Sequence, residues 1–212
     1  MPLAWFRTPS GEEPGSLNLA YNAVDLPVIR GQAEEPALIG DEPMDRAGLL
    51  EVSAALAGAL KALGTAPGTR VGVALADPVR ELLVFLAVAR LGAVHVDLTP
   101  DPVARLAEHA PHVVVTDRPL DLAGHAPAAV VTLDIDAVDG PREEARDLDW
   151  ETALRAGRTD PAGCEPVAPG TTAYVLEAAV VLGDELADDR FGAMIADLAA
   201  GRPVDPAGKM GR

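Results

Sequence analysis

Cysteine is almost missing from this chain of 212 residues: Cys164 stands alone, so no intrachain disulfide can form. The fold must hold itself together by packing, as in a reducing compartment. Aromatic residues are nearly as scarce, at 3% of the chain against 49% hydrophobic residues overall. A core of Ala, Val and Leu has few large anchors, so each anchor it does have carries more of the packing. Lysine occurs only as Lys61 and Lys209, and arginine supplies the rest of the 17 basic residues. They are outnumbered by 33 acidic residues, for a formal net charge of −16. A surface of that sign repels nucleic acid and anionic membrane and favours solubility. No apolar run approaches the roughly 20 residues that span a bilayer, and no basic start leads into an apolar N-terminal core. The expectation is a cytoplasmic protein with no nucleic acid and no membrane among its partners.

What is present alternates in period. Ser16 is positioned to cap a helix over Leu17 to Val24 that Pro27 ends or kinks. Pro36 to Gly40 reads as a short strand. Asp45 caps a long helix through Leu63, whose Leu49, Val52, Leu56, Leu60 and Leu63 recur at spacings of three and four. Thr69 to Leu75 is a strand, and Asp77-Pro78 opens a helix through Leu91 that Gly92 stops. Val94 to Leu98, His112 to Thr116 and Ala129 to Leu133 are further strands, with a short helix over Asp101 to His109. Strands alternating with helices imply a mainly parallel sheet flanked by helices, an α/β fold. Asp136 to Asp149 reads as acidic and irregular, and Trp150 to Ala156 as a short helix. Tyr174 to Leu182 is apolar, either strand or buried helix, and Arg190 to Ala200 is helical, with Phe191, Met194, Ile195 and Leu198 on one face. The expected division is an α/β domain over residues 1–158, a linker or long loop over 159–172, an apolar strand/helix extension over 173–200 and a flexible tail over 201–212.

Several runs resemble a known family when taken in order. Trp5-Phe6 followed by LNLAYNAVD (Leu17 to Asp25), GTRVGVAL (Gly68 to Leu75), ARLGAVHV (Ala89 to Val96), Asp149-Trp150 and Tyr174-Val175-Leu176 fall in the sequence seen in acetyl- and propionyl-CoA synthetases. The chain thus resembles a truncated N-terminal portion of that branch of the adenylate-forming, AMP-binding superfamily. The resemblance implies the fold of an N-terminal subdomain of such an enzyme.

The departures from the pattern bear on activity. After Tyr-(Ile/Val)-Leu the family places a Gly/Ser/Thr-rich loop with a Lys, which wraps ATP phosphates. Here the run is Glu177-Ala178-Ala179-Val180-Val181-Leu182-Gly183-Asp184-Glu185-Leu186-Ala187. Only Gly183 falls in register, Leu186 stands at the Lys position, and Asp184 and Glu185 repel phosphate. The segment Val113 to His125 keeps the strand and one arginine, Arg118, where CoA-phosphate contacts are expected; Leu120, Asp121 and His125 stand among them. The resemblance therefore implies no bound cofactor and no autonomous ligase activity.

Local motifs add no chemistry of their own. His109 and His112 lack a third ligand for zinc, and His125 sits in a loop. Ser10, Ser16 and Ser53 lie in no Gly-x-Ser-x-Gly context. Asp134, Asp136, Asp139, Glu143 and Glu144 lack the spacing of a calcium loop, so no metal is expected. The polar residues Asn18, Tyr21, Asn22, Asp25, His95 and Asp97 form the candidate pocket, should they converge. Three functions follow: a non-catalytic synthetase-like protein that binds, scaffolds or regulates a protein partner or a second copy of itself; a subunit of a split acyl-activating enzyme; or a repurposed enzyme or binding protein for a small molecule.

Overall fold

The computed structural model describes residues 3–133, 143, 145–183 and 185–208. A seven-stranded sheet lies at its centre, built from β3 (Arg70–Ala74), β4 (Val94–Asp97), β5 (Val113–Thr116), β6 (Ala129–Thr132), β7 (Asp147–Asp149), β8 (Thr172–Val175) and β9 (Ala179–Val181). The strand order is β7-β6-β5-β3-β4-β8-β9, and every neighbouring pair is parallel except β8 and β9. A small antiparallel pair, β1 (Pro36–Leu38) and β2 (Met44–Asp45), stands apart.

The helices divide between the two faces. α3 (Pro78–Arg90) carries the chain from β3 to β4, and α4 (Pro102–His109) carries it back past β3 to β5. Crossovers of one hand running in opposite directions must pass over opposite faces. On the α3 face lie α2 (Arg46–Ala62), α5 (Trp150–Gly157) and α6 (Arg190–Ala199), packed into one large cluster with Val71, Val73, Val113 and Val131. The α4 face is thin: Leu106 meets Val94, Val96, Val114 and Val130 there. The valine-rich strands suit this two-sided burial, since branched side chains pack well on a pleated surface.

Helix starts follow the aspartates. Asp45, Asp77, Asp101, Asp149 and Asp189 each accept backbone N–H bonds at the head of α2, α3, α4, α5 and α6. Gly92 ends the turn after α3 at φ 64°, a backbone that glycine tolerates without strain.

Four sequence expectations need correction. Ser16 caps nothing: its backbone pairs with Phe6 and Arg7, and the Oδ1 of Asn18 accepts the Tyr21 N–H instead. Pro27 does not end the helix. A π-helical turn over Tyr21–Asp25 runs into α1 (Leu26–Ile29), and the wider turn relieves the clash between the ring and the preceding carbonyl. Asp147–Asp149, read as irregular, is an edge strand paired with β6. Tyr174 to Leu182 is neither one strand nor a helix, but two strands turning at Leu176 to Ala178. The exposed large hydrophobics among the described residues, Ile29, Ile39, Val103 and Val181, lie on separate elements or loops. The acidic residues Asp134, Asp136, Asp139, Glu144 and Asp184, with Lys209, lie outside the described residues.

α2 and α5 approach closely because glycines face each other. A Cβ on Gly157 would stand 1.9 Å from the carbonyl oxygen of Ala55, and one on Gly58 would stand 2.2 Å from that of Asp160. Neither obstacle is a movable side-chain tip. Gly157→Ala is expected to cost about 2–3 kcal/mol in urea unfolding, as overpacking does. Gly163→Ala, which meets nothing within 4 Å, is expected to be near neutral.

Candidate functional site

Open parallel sheets bind ligands at the carboxyl ends of strands whose connections diverge. Here that point lies between β3 and β5. A side chain occupies it: Asp117 accepts the N–H of Ala76 at 2.5 Å, and Arg118 pairs with Asp117 at 3.4 Å. No glycine-rich turn opens it. Downstream, Leu120 and Leu122 pack into the thin core layer, and Asp121 accepts the Ala123 N–H. The Nε2 of His125 bonds the carbonyl of Pro111 at 2.7 Å.

The six candidate polar residues divide into two groups. Asn18, Asn22 and Asp25 tie the N-terminal segment to the end of α3. The amide of Asn18, fully buried, donates to the carbonyls of Ala89, Arg90 and Glu165 at 2.9–3.1 Å. Asn22 exchanges two bonds with the backbone of Ala4. Asp25 takes both terminal nitrogens of the buried Arg90, at 2.9 and 2.7 Å. Burial raises the carboxyl pKa of Asp25, opposed by the Arg90 charge. Cys164 touches the same pair, and burial pushes its thiol up to about 12, which leaves it a poor nucleophile. Tyr21 packs edge-on against Phe6. These bonds are directed at backbone and at each other, and they leave little for a ligand.

His95 and Asp97 belong to a second cluster, on β4 beneath α3 and α6. His95 is wholly buried, with Phe85 and Phe191 edge-on to its ring at 5.5 and 5.1 Å, and neither ring nitrogen has a hydrogen-bond partner among the described residues. Burial pushes its pKa down to about 3, so the ring stays neutral. Asp97 is bonded by Thr99 and by Arg190, the latter at 3.2 Å. Arg190 also reaches Glu81 at 2.6 Å and lies over the Phe191 ring at 4.8 Å. Burial raises the Glu81 carboxyl to about 7, partly offset by Arg190. Next to it, Asp189 caps α6 and accepts the hydroxyl of Tyr174 at 2.8 Å. Burial and that bond hold the Tyr174 hydroxyl protonated.

Sequence reasoning missed Glu81, Arg90, Asp189 and Arg190. A signal existed for two of them: Glu81 and Arg90 are charges that bracket the apolar run Leu82 to Ala89. Arg190 gave none, because its partners lie about 90 and 110 positions away in sequence.

Where the resemblance places a phosphate loop, the chain makes the β8–β9 turn and then returns to the core. Leu182 is buried, and Val180 and Leu186 pack against the core. Glu177 and Glu185 are the charged residues described in that segment. Among the described residues no group of three or more His, Cys, Asp or Glu is arranged to hold a metal ion. No helix among them is long and apolar enough to cross a membrane.

No family model matches the chain. Sequence relatives nevertheless agree on a theme. An uncharacterized protein of Pseudomonas aeruginosa is 33% identical over 218 aligned positions, covering 82% of this chain and 34% of its own length. The mitochondrial acyl-CoA synthetase short-chain family member 3 of Mus musculus is 27% identical over 192 positions, 76% of this chain and 28% of its own. The acetyl-coenzyme A synthetase of Halorhodospira halophila is 40% identical over 90 positions, 39% of this chain and 14% of its own. Among solved structures, acetoacetyl-CoA synthetase from Streptomyces lividans superposes with a TM-score of 0.65 at 23% identity, over 93% of this chain and 35% of that one. The sheet with its helices is thus a fragment of the acyl-CoA synthetase fold. The chain spans about a third of the length of the first two relatives.

Glu81 makes stability depend on pH. Its folded-state pKa of about 7 lies above the ordinary 4.5, so the folded protein holds that proton more tightly. The favourable contribution is complete below about pH 4.5 and is lost as pH rises through 7. The stability of the wild type relative to Glu81→Gln is expected to fall between pH 5 and 8, by up to about 3 kcal/mol. Paired urea titrations check this; a difference that does not change with pH would contradict it. Asn18→Ala removes three bonds, but the Ala89 and Arg90 carbonyls keep the backbone N–H groups of Gly92 and Glu165, so it is expected to cost about 1–2 kcal/mol in the same assay.

Proposed function

We propose, for a chain whose homologues are acetyl- and acyl-CoA synthetases, a binding role without adenylation: it scaffolds or regulates a protein partner and activates no acid itself. The observation that carries this reading is the segment after Tyr174-Val175-Leu176. A loop that stabilises transferring phosphates presents backbone N–H groups, hydroxyls and a cation toward them. This segment pairs its backbone in a β-hairpin, turns Val180, Leu182 and Leu186 toward the core, and carries Glu177 and Glu185. Saturation of Asn18, Asn22 and Asp25 by backbone and by Arg90 counts against a reworked small-molecule pocket at those residues.

A second reading is a subunit of a split acyl-activating enzyme, with ATP chemistry supplied by another chain. The acyl-CoA synthetase fold retained over 93% of the chain favours it.

ATP–pyrophosphate exchange with acetate, propionate or acetoacetate is the test. The chain by itself is expected to give no exchange above the protein-free background; measurable exchange would overturn the non-catalytic reading. Native mass spectrometry of the protein from its host then separates the two readings. A stoichiometric partner that carries a Gly/Ser/Thr phosphate loop and restores exchange on mixing selects the split enzyme. A partner without that loop selects the scaffold.

A further inference from the structure

A cleft of about 400 Å³ opens on the thinly covered face of the sheet, between α4 and the β8–β9 hairpin. Val94 and Val175 contribute apolar surface, and Arg70, Arg105, Thr171 and Thr172 contribute donors. We propose that this cleft binds a single phosphate group, inorganic or carried by a small phosphomonoester, between Arg70 and Arg105.

Both guanidinium groups are fixed before any ligand arrives. Arg70 donates through one terminal nitrogen to the carbonyl of His109, at 3.1 Å. Arg105 donates through one terminal nitrogen to the carbonyls of Leu176 and Val175, at 2.5 and 3.4 Å. Anchoring through one nitrogen leaves the other terminal nitrogen of each guanidinium without a hydrogen bond among the described residues, and a guanidinium matches phosphate oxygens. The Nε of Arg105 is buried and has no acceptor. Neither arginine forms a salt bridge with a carboxylate among the described residues. The hydroxyls of Thr171 and Thr172 make no side-chain bond among those residues and suit a tetrahedral ligand.

The net charge of −16 does not forbid this. Distant surface charges are screened beyond about 8 Å at physiological salt, so the charges of the lining itself decide. The rim sets the ligand's size and charge. Glu108 and Glu177 also line the cleft. Two carboxylates in the same lining as two guanidiniums disfavour a polyphosphate. This separates the site from a nucleotide triphosphate site and makes it independent of the binding role proposed above. His109, also in the lining, has a pKa lowered by burial first and then by Arg105 and Arg70, with Glu108 opposing. A bound anion adds a further opposing charge, so His109 reports occupancy.

The experiment titrates the full chain with inorganic phosphate, glycerol 3-phosphate, acetate and ATP at constant ionic strength, by calorimetry and by the ring resonances of His109. Saturable binding of both phosphates is expected, with an upward shift in the His109 pKa. Arg70→Gln is expected to weaken binding at least tenfold, about 1.4 kcal/mol, with unchanged thermal stability because Arg70 is exposed. Arg30→Gln, at a separate cleft beside α1 and α6, is expected to leave binding unchanged. Three results would each overturn the proposal: no saturable phosphate binding by about 50 mM, binding that Arg70→Gln does not alter, or acetate or ATP binding as tightly as phosphate.

Discussion

Phe191 lies flat on Phe85, with ring centroids 4.0 Å apart and planes 10° from parallel. Through that contact the last helix becomes part of the core laid down by the first half of the chain. In a protein with so few aromatics, Tyr174 joins Phe85 and Phe191 at one point, around the buried ring of His95. Polar bonds fix the same helix end: Arg190 spans Glu81 and Asp97, and Asp189 takes the Tyr174 hydroxyl. The stack supplies burial and the bonds supply register. Together they set α6 on the face where β4 and β8 would otherwise lie open.

The other end of α3 is closed in the same manner. Asn18 occupies the carbonyls at its C-terminus, and Asp25 neutralises Arg90, whose side chain is 1% exposed. A buried ion pair of this kind gives little net stability, but losing one partner leaves an uncompensated charge. The clamp therefore fixes where the N-terminal segment sits more than it adds to stability. Closure at both ends of α3 bears directly on function. Polar residues that looked available for a ligand are consumed in holding the termini, and the chain's own last helix packs into the core.

Much of this was legible in the sequence. Aspartates before apolar runs marked the heads of α2, α3 and α4, because capping depends on local spacing alone. The valine strands Val71 to Ala74 and Val113 to Thr116 announced a parallel sheet, because two-sided burial leaves a continuous apolar run. The family likeness was legible too, from five short motifs in order. Pairing between distant residues was not. β7 is three residues long and mostly polar, and only β6 beside it makes it a strand. The π turn before Pro27 leaves no periodic mark. Of the candidate polar residues Asn18, Asn22, His95 and Asp97 are buried, but sequence does not say whether such a group faces a cavity or a backbone carbonyl. Asn18 faces carbonyls. The Arg190 cluster stayed hidden because it joins three elements far apart in the chain.

Hydrogen–deuterium exchange along α6 tests most directly whether the chain closes on itself. Amides from Ala193 to Ala199 are expected to be protected to a degree comparable with those in the middle of α3, since both helices share the Phe85–Phe191 contact. Exchange of the α6 amides at the rate of an unstructured peptide, while α3 remains protected, would contradict the closure on which the reading of this fold rests.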